Sequence, residues 1–241
     1  MQRVIIIGAT SGIGLELARL YLQNGDHAGI TGRRNDLLVQ LQNEFPAKVV
    51  IECFDVTGNE NIPHLESLIK KLGGMDLLIY NSGFGDISET LDWELDKKTT
   101  LINVNGFLEI VNYAFNYFVK QGRGQIAATS SIASIRGNSA APAYSASKAY
   151  MSTYMEGLHI KAFKLKKKGI RVDITDIQPG FVKTKMARGK GRFWEAPVKK
   201  AAKQIFNAIQ RKKRRVYITR RWWIIAKILK WLPYSIVKRI G

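Results

Sequence analysis

Short apolar runs alternate with longer segments of helical periodicity along most of the chain. Seven runs have the length and composition of buried strands. They lie at Val4–Ile7, His27–Thr31, Lys48–Phe54, Asp76–Tyr80, Gly124–Ser130, Ile170–Ile177 and Arg215–Thr219. The segments with helical spacing are Leu15–Leu22, Asp36–Phe45, Ile62–Leu72, Thr99–Lys120, Tyr144–Lys168 and Ala196–Arg211. This alternation predicts an α/β fold in which a parallel sheet of seven strands has helices on both faces.

The length of 241 residues fits one large α/β domain. We expect a catalytic domain over 1–219 and a basic C-terminal tail of the same domain over 220–241. Cys53 is the only cysteine, which excludes an intrachain disulfide and fits a reducing compartment. The apolar segment Arg3–Gly8 is too short for a signal peptide or a membrane span. We therefore expect a cytoplasmic protein.

The net charge of +19 is concentrated in the last quarter of the chain. The segment Met1–Val182 has 19 Lys and Arg against 18 Asp and Glu, a net charge of +1. The segment Lys183–Gly241 has 19 Lys and Arg and one acid, Glu195, a net charge of +18. Such asymmetry indicates a polyanionic partner, either a membrane surface or a nucleic acid.

A glycine-rich turn follows the first predicted strand and precedes the first predicted helix. Its sequence is Gly8-Ala9-Thr10-Ser11-Gly12-Ile13-Gly14. Gly8 permits a tight turn, Gly12 lets the backbone approach a pyrophosphate, and Gly14 allows close packing of helix on strand. The N–H groups and the dipole of the helix start favour an anion. A plain βα turn is the alternative, but the strand-before, helix-after context favours a dinucleotide site.

This glycine spacing resembles the short-chain dehydrogenase/reductase family, and six further motifs of that family follow in order. They are Asp55, Asn81-Ser82-Gly83, Asn103-Val104-Asn105-Gly106, Ser130-Ser131, Tyr144-Ser145-Ala146-Ser147-Lys148, and Pro179-Gly180 with Thr184. The match therefore extends from Gly8 to Thr184. The chain departs from the family's Asn-Asn-Ala-Gly segment by having Tyr80 and Ser82 at its first and third positions. That segment stabilises the sheet, so the departure hardly affects catalysis.

The resemblance implies a single Rossmann-type, doubly wound parallel sheet with strand order 3-2-1-4-5-6-7. It also implies a coenzyme site spread along the whole match and no metal site. The implied coenzyme-binding residues are Gly8, Thr10, Ser11, Gly12, Ile13, Gly14, Arg33, Arg34, Asp55, Val56, Asn81, Gly83, Tyr144, Lys148, Pro179, Gly180, Val182 and Thr184. The implied catalytic residues are Asn103, Ser131, Tyr144 and Lys148.

Tyr144 and Lys148 are four residues apart on a predicted helix and so share one face. An ammonium about 4 Å from a phenol would favour the phenolate by up to ~4 kcal/mol, and a cationic nicotinamide ring would act the same way. In the family's mechanism Tyr144 donates a proton to a carbonyl oxygen, Ser131 orients that oxygen, Lys148 holds the nicotinamide ribose, and Asn103 helps to hold a relay water. Taken singly, each could be an ordinary packed, solvated or turn residue. Their joint occurrence in the family's order favours catalysis.

The second predicted strand ends at Thr31-Gly32-Arg33-Arg34. Relatives that prefer NAD have a carboxylate at the position of Gly32, which would bind the ribose 2′-hydroxyl. Here Arg33 follows Gly32 at once, and its guanidinium can bind a 2′-phosphate with two parallel hydrogen bonds, while Ser11 offers a further donor. The alternative is that Arg33 and Arg34 are solvated surface charges. We expect NADP(H) to be preferred over NAD(H).

The tail mixes tryptophan, isoleucine and leucine with basic residues. On a helix, Lys227 and Lys230 share a face with Arg220. The other face carries Trp222, Ile225, Ala226, Leu229 and Leu232. Such a helix is too charged to span a bilayer but suits an anionic surface, such as the inner face of a membrane. Packing in an interface with the tryptophans buried is one alternative. Nucleic-acid binding by Arg211–Arg215 is another, and no recognised nucleic-acid motif accompanies that run.

The resulting prediction is an NADPH-dependent carbonyl (ketone) reductase. Phe193 and Trp194, in the short stretch Lys185–Ala196 where relatives have a substrate loop, suit a lipophilic substrate such as a 3-keto lipid, although they could merely cover the core. The long helices Thr99–Lys120 and Tyr144–Lys168 form the subunit interface in many relatives, which implies a homodimer or homotetramer. A non-catalytic NADP(H)-binding regulator or scaffold is the alternative function.

Overall fold

The computed structural model describes residues 1–87, 90–184 and 193–240. Within these residues, seven parallel strands form one sheet with the order β3-β2-β1-β4-β5-β6-β7, which confirms the predicted fold class and strand order. The strands are β1 Arg3–Ile7, β2 His27–Gly32, β3 Val49–Cys53, β4 Leu77–Tyr80, β5 Arg123–Thr129, β6 Arg171–Pro179 and β7 Arg215–Ile218.

The helices largely follow the predicted segments. They are α1 Gly12–Gln23, α2 Asn35–Glu44, α3 Asn61–Leu72, α4 Trp93–Thr100, α5 Phe107–Gln121, α6 Pro142–Lys166, α7 Val198–Gln210, α8 Trp222–Trp231 and α9 Tyr234–Ile240. A π-helical turn at Leu101–Gly106 joins α4 to α5, and a 3₁₀ turn at Ile132–Ser134 precedes α6. No described helix is long and apolar enough to cross a membrane.

The predicted single helix Thr99–Lys120 is wrong in its boundaries, because the helical segment begins earlier and changes register in the middle. Asp92 starts α4, since its carboxylate accepts the N–H groups of Glu94 at 2.9 Å and Leu95 at 3.2 Å. Only Thr99 of α4 is buried, so this helix has too few apolar residues to show a period. The π turn then changes the register, with Asn103 and Gly106 buried.

Both faces of the sheet are covered. Because successive strand residues point to opposite faces, Ile5 and Ile7 of β1 belong to one hydrophobic cluster and Val4 and Ile6 to the other. The first cluster includes buried residues of α3, α5 and α6, and the second includes buried residues of α1, α2 and α7. This arrangement explains why the strands are nearly continuous apolar runs.

The carboxyl ends of all seven strands lie at one edge of the sheet, because the strands are parallel. Ligands of open α/β sheets bind at this edge. Helix α8 begins four residues after the end of β7, so the tail starts at the same edge as the predicted site.

Candidate active site

The glycine-rich turn has the shape that the spacing predicts. Gly8 and Gly12 have φ angles of +87° and +58°, which favour glycine. A Cβ on Gly14 would lie 2.1 Å from the Gly8 carbonyl oxygen, so helix and turn touch there. Ser11 is the N-cap of α1, and its side chain makes no capping hydrogen bond within the described residues. The first N–H groups of α1 are therefore suited to a phosphate, and the turn fits a dinucleotide.

Asn81 ties the turn to the neighbouring strand ends. Its side-chain amide donates to the Gly8 carbonyl at 3.3 Å, and its side-chain oxygen accepts from the Thr129 hydroxyl at 3.0 Å. A Cβ on Gly8 would lie 2.7 Å from the Ser82 nitrogen, so the backbone of the turn at Gly8 lies close against the backbone at Ser82. Tyr80, one of the departures from the family pattern, is buried and donates its hydroxyl to the Ile102 carbonyl at 2.7 Å. That bond fixes the π turn against β4.

Ser131, Tyr144 and Lys148 come together at the ends of β5 and α6. Ser131 accepts the Ala133 N–H at 3.1 Å at the start of the 3₁₀ turn. Lys148 is 3% exposed, and its ammonium lies 5.8 Å from the centroid of the Tyr144 ring. The same ammonium donates to the Thr129 carbonyl at 2.9 Å. The predicted sharing of one helix face by Tyr144 and Lys148 is thus present.

The pKa values of Tyr144 and Lys148 are not shifted in the directions that attraction between an ammonium and a phenolate would produce. Desolvation raises the pKa of the Tyr144 hydroxyl, and a hydrogen bond with Ser131 lowers it by less. Burial lowers the pKa of Lys148 to about 7, although the nearby carboxylate of Asp176 raises it. The expected acidification of the phenol by the ammonium is therefore not found, because the pKa of Tyr144 is raised. Burial disfavours the charged form of both groups and outweighs their attraction.

The ring of Tyr144 packs against a glycine that the sequence patterns did not single out. A Cβ on Gly85 would lie 2.2 Å from Tyr144 Cδ2. Any larger side chain would push the ring away from its place beside Ser131. Gly85 lies two residues after the Asn81-Ser82-Gly83 segment, but no local signal distinguishes it from a loop glycine.

Asn103 is buried, and its amide is engaged by the protein itself. Its side-chain oxygen accepts the Phe84 N–H at 2.9 Å, and its nitrogen donates to the Phe84 carbonyl at 2.7 Å. The same nitrogen donates to the Ser147 hydroxyl at 2.9 Å. Ser147 in turn donates to the Tyr144 carbonyl at 2.8 Å. Asn103 thus links the loop before Gly85 to the second turn of α6.

The arginines after β2 lie beside the glycine-rich turn. Arg34 donates to the hydroxyls of Thr10 at 2.7 Å and Ser11 at 2.8 Å. Arg33 forms an exposed ion pair with Asp55 at 3.3 Å. A Cβ on Gly32 would lie 2.4 Å from Thr10 Cγ2, so a carboxylate side chain at this position would clash.

The pKa of Asp55 is below its usual value. Burial alone would raise it, but hydrogen bonds from Thr57 and the charge of Arg33 together outweigh that effect. Asp55 is therefore a carboxylate at neutral pH.

The remaining predicted residues also lie at this edge. The Ser131 hydroxyl is 3.5 Å from the Pro179 carbonyl, and a Cβ on Gly12 would lie 3.4 Å from Thr184 Cγ2. Val56, Ile13 and Val182 are buried, and Gly83 lies in the loop after β4. Of the predicted substrate-loop stretch, 185–192 lies outside the described residues.

An aromatic cluster stands beside Gly180 and joins the predicted Phe193 and Trp194 to two rings that the sequence patterns do not place there. It consists of Phe181, Phe193, Trp194 and Trp222, whose ring centroids lie between 5.1 and 6.1 Å apart. A Cβ on Gly180 would lie 2.0 Å from the Trp222 ring. Phe193 and Trp194 remain partly exposed, at 49% and 40%. The first tryptophan of α8 is therefore part of the wall next to the site.

Arg136, which no sequence pattern singled out, holds the other end of α8. It follows the 3₁₀ turn and donates to the carbonyls of Leu229 at 2.8 Å, Lys230 at 3.1 Å and Leu232 at 3.0 Å. A cation that binds the last carbonyls of a helix also interacts favourably with the helix dipole. The tail is thus attached to the segment that starts at Ser131.

Comparisons with known proteins identify the family of the chain. The family model described as short chain dehydrogenase matches residues 2–193. A Myxococcus xanthus protein named an uncharacterized oxidoreductase is 35% identical over 191 residues, which cover 77% of this chain and 74% of the relative. A Mycobacterium tuberculosis protein named an uncharacterized oxidoreductase is 27% identical over 253 aligned positions, which cover 100% of this chain and 97% of the relative.

Solved structures share the fold at low identity. The structure described as ElxO with NADP bound has a TM-score of 0.76 at 23% identity and covers 90% of this chain and 97% of its own. An NADPH-dependent 3-quinuclidinone reductase from Rhodotorula rubra has a TM-score of 0.72 at 24% identity, covering 85% and 83%.

The fold and the matched residues together place the chain in the short-chain dehydrogenase family. It is an oxidoreductase that works with a nicotinamide coenzyme.

Proposed function

We propose that this protein reduces a ketone to an alcohol with NADPH, and that Tyr144 is the general acid. The single observation that carries the proposal is the joint placement of Ser131, Tyr144 and Lys148 at the sheet edge, where Thr129 and Asn81 connect them to the glycine-rich turn. The relatives named as oxidoreductases and the fold of the NADPH-dependent ketone reductase support it.

The proposed mechanism uses the neutral phenol. Desolvation keeps the pKa of Tyr144 above its ordinary value, so its hydroxyl carries a proton at neutral pH. Tyr144 donates that proton to the substrate oxygen while Ser131 donates a hydrogen bond to the same oxygen. When bound, a nicotinamide coenzyme would supply the hydride. Lys148 has three N–H donors, of which one bonds the Thr129 carbonyl and one contacts the Met151 sulfur at 3.4 Å, and the third would bind the nicotinamide ribose.

Asn103 is proposed as a positioning residue. Both N–H groups of its amide and one lone pair of its oxygen bond Phe84 and Ser147. The relay water implied by the family resemblance would then bind the main-chain carbonyl of Asn103 rather than its side chain. The π turn, which breaks the ordinary helical hydrogen-bond pattern, supports this assignment.

The proposed substrate is a small lipophilic carbonyl compound. The partly exposed aromatic rings of Phe193 and Trp194, next to Trp222 and Gly180, support an apolar wall on the substrate side. We also propose a cytoplasmic protein that forms a homodimer or homotetramer. The exposed Tyr150 and Phe163 of α6 and the groove along α5 at Asn112 and Tyr113 support an interface there.

Replacement of Tyr144 by Phe tests the reaction. The phenol contributes about 10²- to 10⁴-fold as a general acid, so kcat with a reducible ketone should fall by that factor. Turnover is measured as loss of NADPH absorbance over a panel of ketones that includes 3-keto lipids in detergent. NADPH binding, followed by coenzyme fluorescence, should stay within about twofold of the wild type, since one ring oxygen is a small part of the dinucleotide contacts.

Two results would contradict the proposal. Full turnover by Tyr144→Phe would exclude Tyr144 as the general acid. A wild-type protein that binds NADPH but reduces no ketone of the panel would favour the non-catalytic regulator instead.

The coenzyme preference is tested at Arg34, whose guanidinium lies over the hydroxyls of Thr10 and Ser11. Removal of one charge-assisted contact to a phosphate costs about 1.5–3 kcal/mol, so Arg34→Ala should raise the Kd for NADPH by about 10- to 100-fold. The Kd for NADH should change little, because NADH has no 2′-phosphate. Lys48→Ala, which removes a charge from a turn outside the site, is the control. An equal loss for both coenzymes would contradict the assignment.

A further inference from the structure

The tail has two apolar faces, and only one of them packs against the protein. The face expected to meet a membrane is turned inward instead, since Trp222 and Ala226 are buried and Ile225 and Leu229 are half-buried. The opposite face of α8 is also apolar and carries Trp223, Ile224, Ile228 and Trp231. We call this second set, together with Tyr234 of α9, the outer tail face.

The outer tail face is unusually exposed for its composition. Trp223 is 53% exposed, Trp231 is 84% exposed and Tyr234 is 77% exposed. Large aromatic residues of a folded protein are seldom left in water to this extent, and a contiguous patch of them marks an interaction surface.

The charge around this face is of one sign. From Arg220 to Gly241 the sequence contains six Lys and Arg and no Asp or Glu. Lys227 and Lys230 are exposed on α8, and Lys238 and Arg239 are exposed on α9. The Lys227 ammonium lies 5.6 Å from the centroid of the Trp223 ring, so cation and aromatic ring stand side by side.

Aromatic and aliphatic side chains mixed with cations are typical of helices that lie in the head-group region of an anionic bilayer. A nucleic acid would use the basic side chains but would leave the aliphatic ones in water. The separate basic run Arg211–Arg215 is also partly neutralised, because Lys212 pairs with Asp173 at 2.7 Å and Arg215 pairs with Asp176 at 3.0 Å.

The inner face of the same helix connects this surface to the active site. Trp222 contacts Gly180, and Arg136 holds the last carbonyls of α8 only five residues after Ser131. A bilayer in contact with the outer tail face would therefore lie one helix diameter from the site wall, about 10 Å.

We propose that the outer tail face binds the surface of an anionic lipid bilayer and so holds the reductase site next to the lipid phase. The proposal that the outer tail face binds a bilayer depends only on the residues of the tail. Its use, the supply of a lipophilic ketone from the bilayer, rests on the proposed function.

Co-sedimentation with vesicles tests the binding. The full-length protein should sediment with vesicles of 30% phosphatidylglycerol in phosphatidylcholine, roughly tenfold or more over vesicles of phosphatidylcholine alone, because several cations contribute. Raising the salt from about 50 to about 500 mM should weaken the binding. The double variant Trp223→Ser/Trp231→Ser should lose about tenfold or more in partition coefficient. Trp93→Ser is the matched control, since Trp93 is 70% exposed on α4 and is not part of the outer tail face.

A second pair of variants isolates charge. Lys227→Gln/Lys230→Gln should weaken vesicle binding several-fold, whereas Lys199→Gln/Lys203→Gln removes the same charge from exposed positions of α7 and should not. Both pairs should keep the reductase activity on a water-soluble ketone, so a failure of binding is distinguished from a failure of the proposed function.

Three outcomes would overturn the proposal. The wild type could ignore anionic vesicles at low salt. The tryptophan variant could convert a dimer into a monomer in light scattering while vesicle binding is unchanged, which would make the face an interface between copies. The tail variants could abolish a salt-sensitive gel shift with nucleic acid but leave vesicle binding intact.

Discussion

At the scale of single residues, Lys148 shows how burial competes with charge. The ammonium is 3% exposed, and the carboxylate of Asp176 only partly compensates for its desolvation. A bound coenzyme would add an acceptor for the remaining N–H donor of Lys148 and so favour the charged form. We therefore expect the coenzyme-free protein to pay a stability cost for this lysine that depends on pH.

The sign of that dependence follows from the two protonation states. The unfolded lysine has a pKa of 10.5, whereas in the folded protein its pKa is about 7. Between these values the unfolded chain binds a proton that the folded protein does not, so stability rises with pH across this window. Lys148→Met has no such proton. The urea midpoint of the wild type minus that of Lys148→Met should therefore increase from about pH 7 to about pH 9.

Lys164→Met serves as the control, because Lys164 is exposed on the same helix. Its midpoint difference from the wild type should stay constant over this range. A constant difference for Lys148→Met would show instead that the buried lysine keeps its proton. Saturating NADPH should make the difference between the wild type and Lys148→Met less dependent on pH.

At the scale of elements, local sequence patterns predict a strand, turn or helix wherever the pattern lies within that element. The strands are apolar runs buried on both faces, and the glycine-rich turn has its helix directly after it, so both were predictable. The helix α4 was missed because only Thr99 is buried in it. The π turn was missed because its register is set by Tyr80 and Asn103 bonding across the sheet edge, and periodicity within the helix does not record such contacts.

The network around Asp176 is another element-scale feature that the sequence does not reveal. This buried carboxylate on β6 accepts hydrogen bonds from Ser130 after β5, Ser152 of α6 and Arg215 of β7. It therefore fixes three elements around the end of the sheet and also raises the pKa of Lys148. These partners lie 24 to 46 residues from Asp176 in the sequence, too far for any local motif to reveal the contacts.

At the scale of the whole molecule, the tail is both a part of the site wall and the carrier of a charged apolar surface. Its inner contacts join positions far apart in the sequence, such as Gly180 with Trp222 and Arg136 with Leu229. The amphipathic pattern predicts a basic face and an apolar face, with the apolar face either on a membrane or packed in an interface. In the structure Trp222 and Ala226 of that apolar face are buried against the protein. Both faces are apolar, and only the tertiary contacts decide which one is buried.

Arg136 gives the test of this coupling. Arg136→Ala removes three hydrogen bonds to the end of α8, and the half-exposed position makes the loss of stability modest, about 1–2 kcal/mol, read as a lower thermal midpoint. Because α8 also supplies Trp222 to the wall beside Gly180, loosening it should raise KM for a bulky lipophilic ketone more than for a small one. The Kd for NADPH should stay within about twofold, since the glycine-rich turn lies on the far side of β6. Arg136→Lys keeps the charge but cannot bond three carbonyls in the same geometry. Its thermal midpoint and its KM ratio should therefore lie between those of the wild type and of Arg136→Ala. If Arg136→Ala changes neither the midpoint nor the KM ratio, the tail is an appendage of the fold, and membrane contact at its outer face would have no path to the catalytic residues.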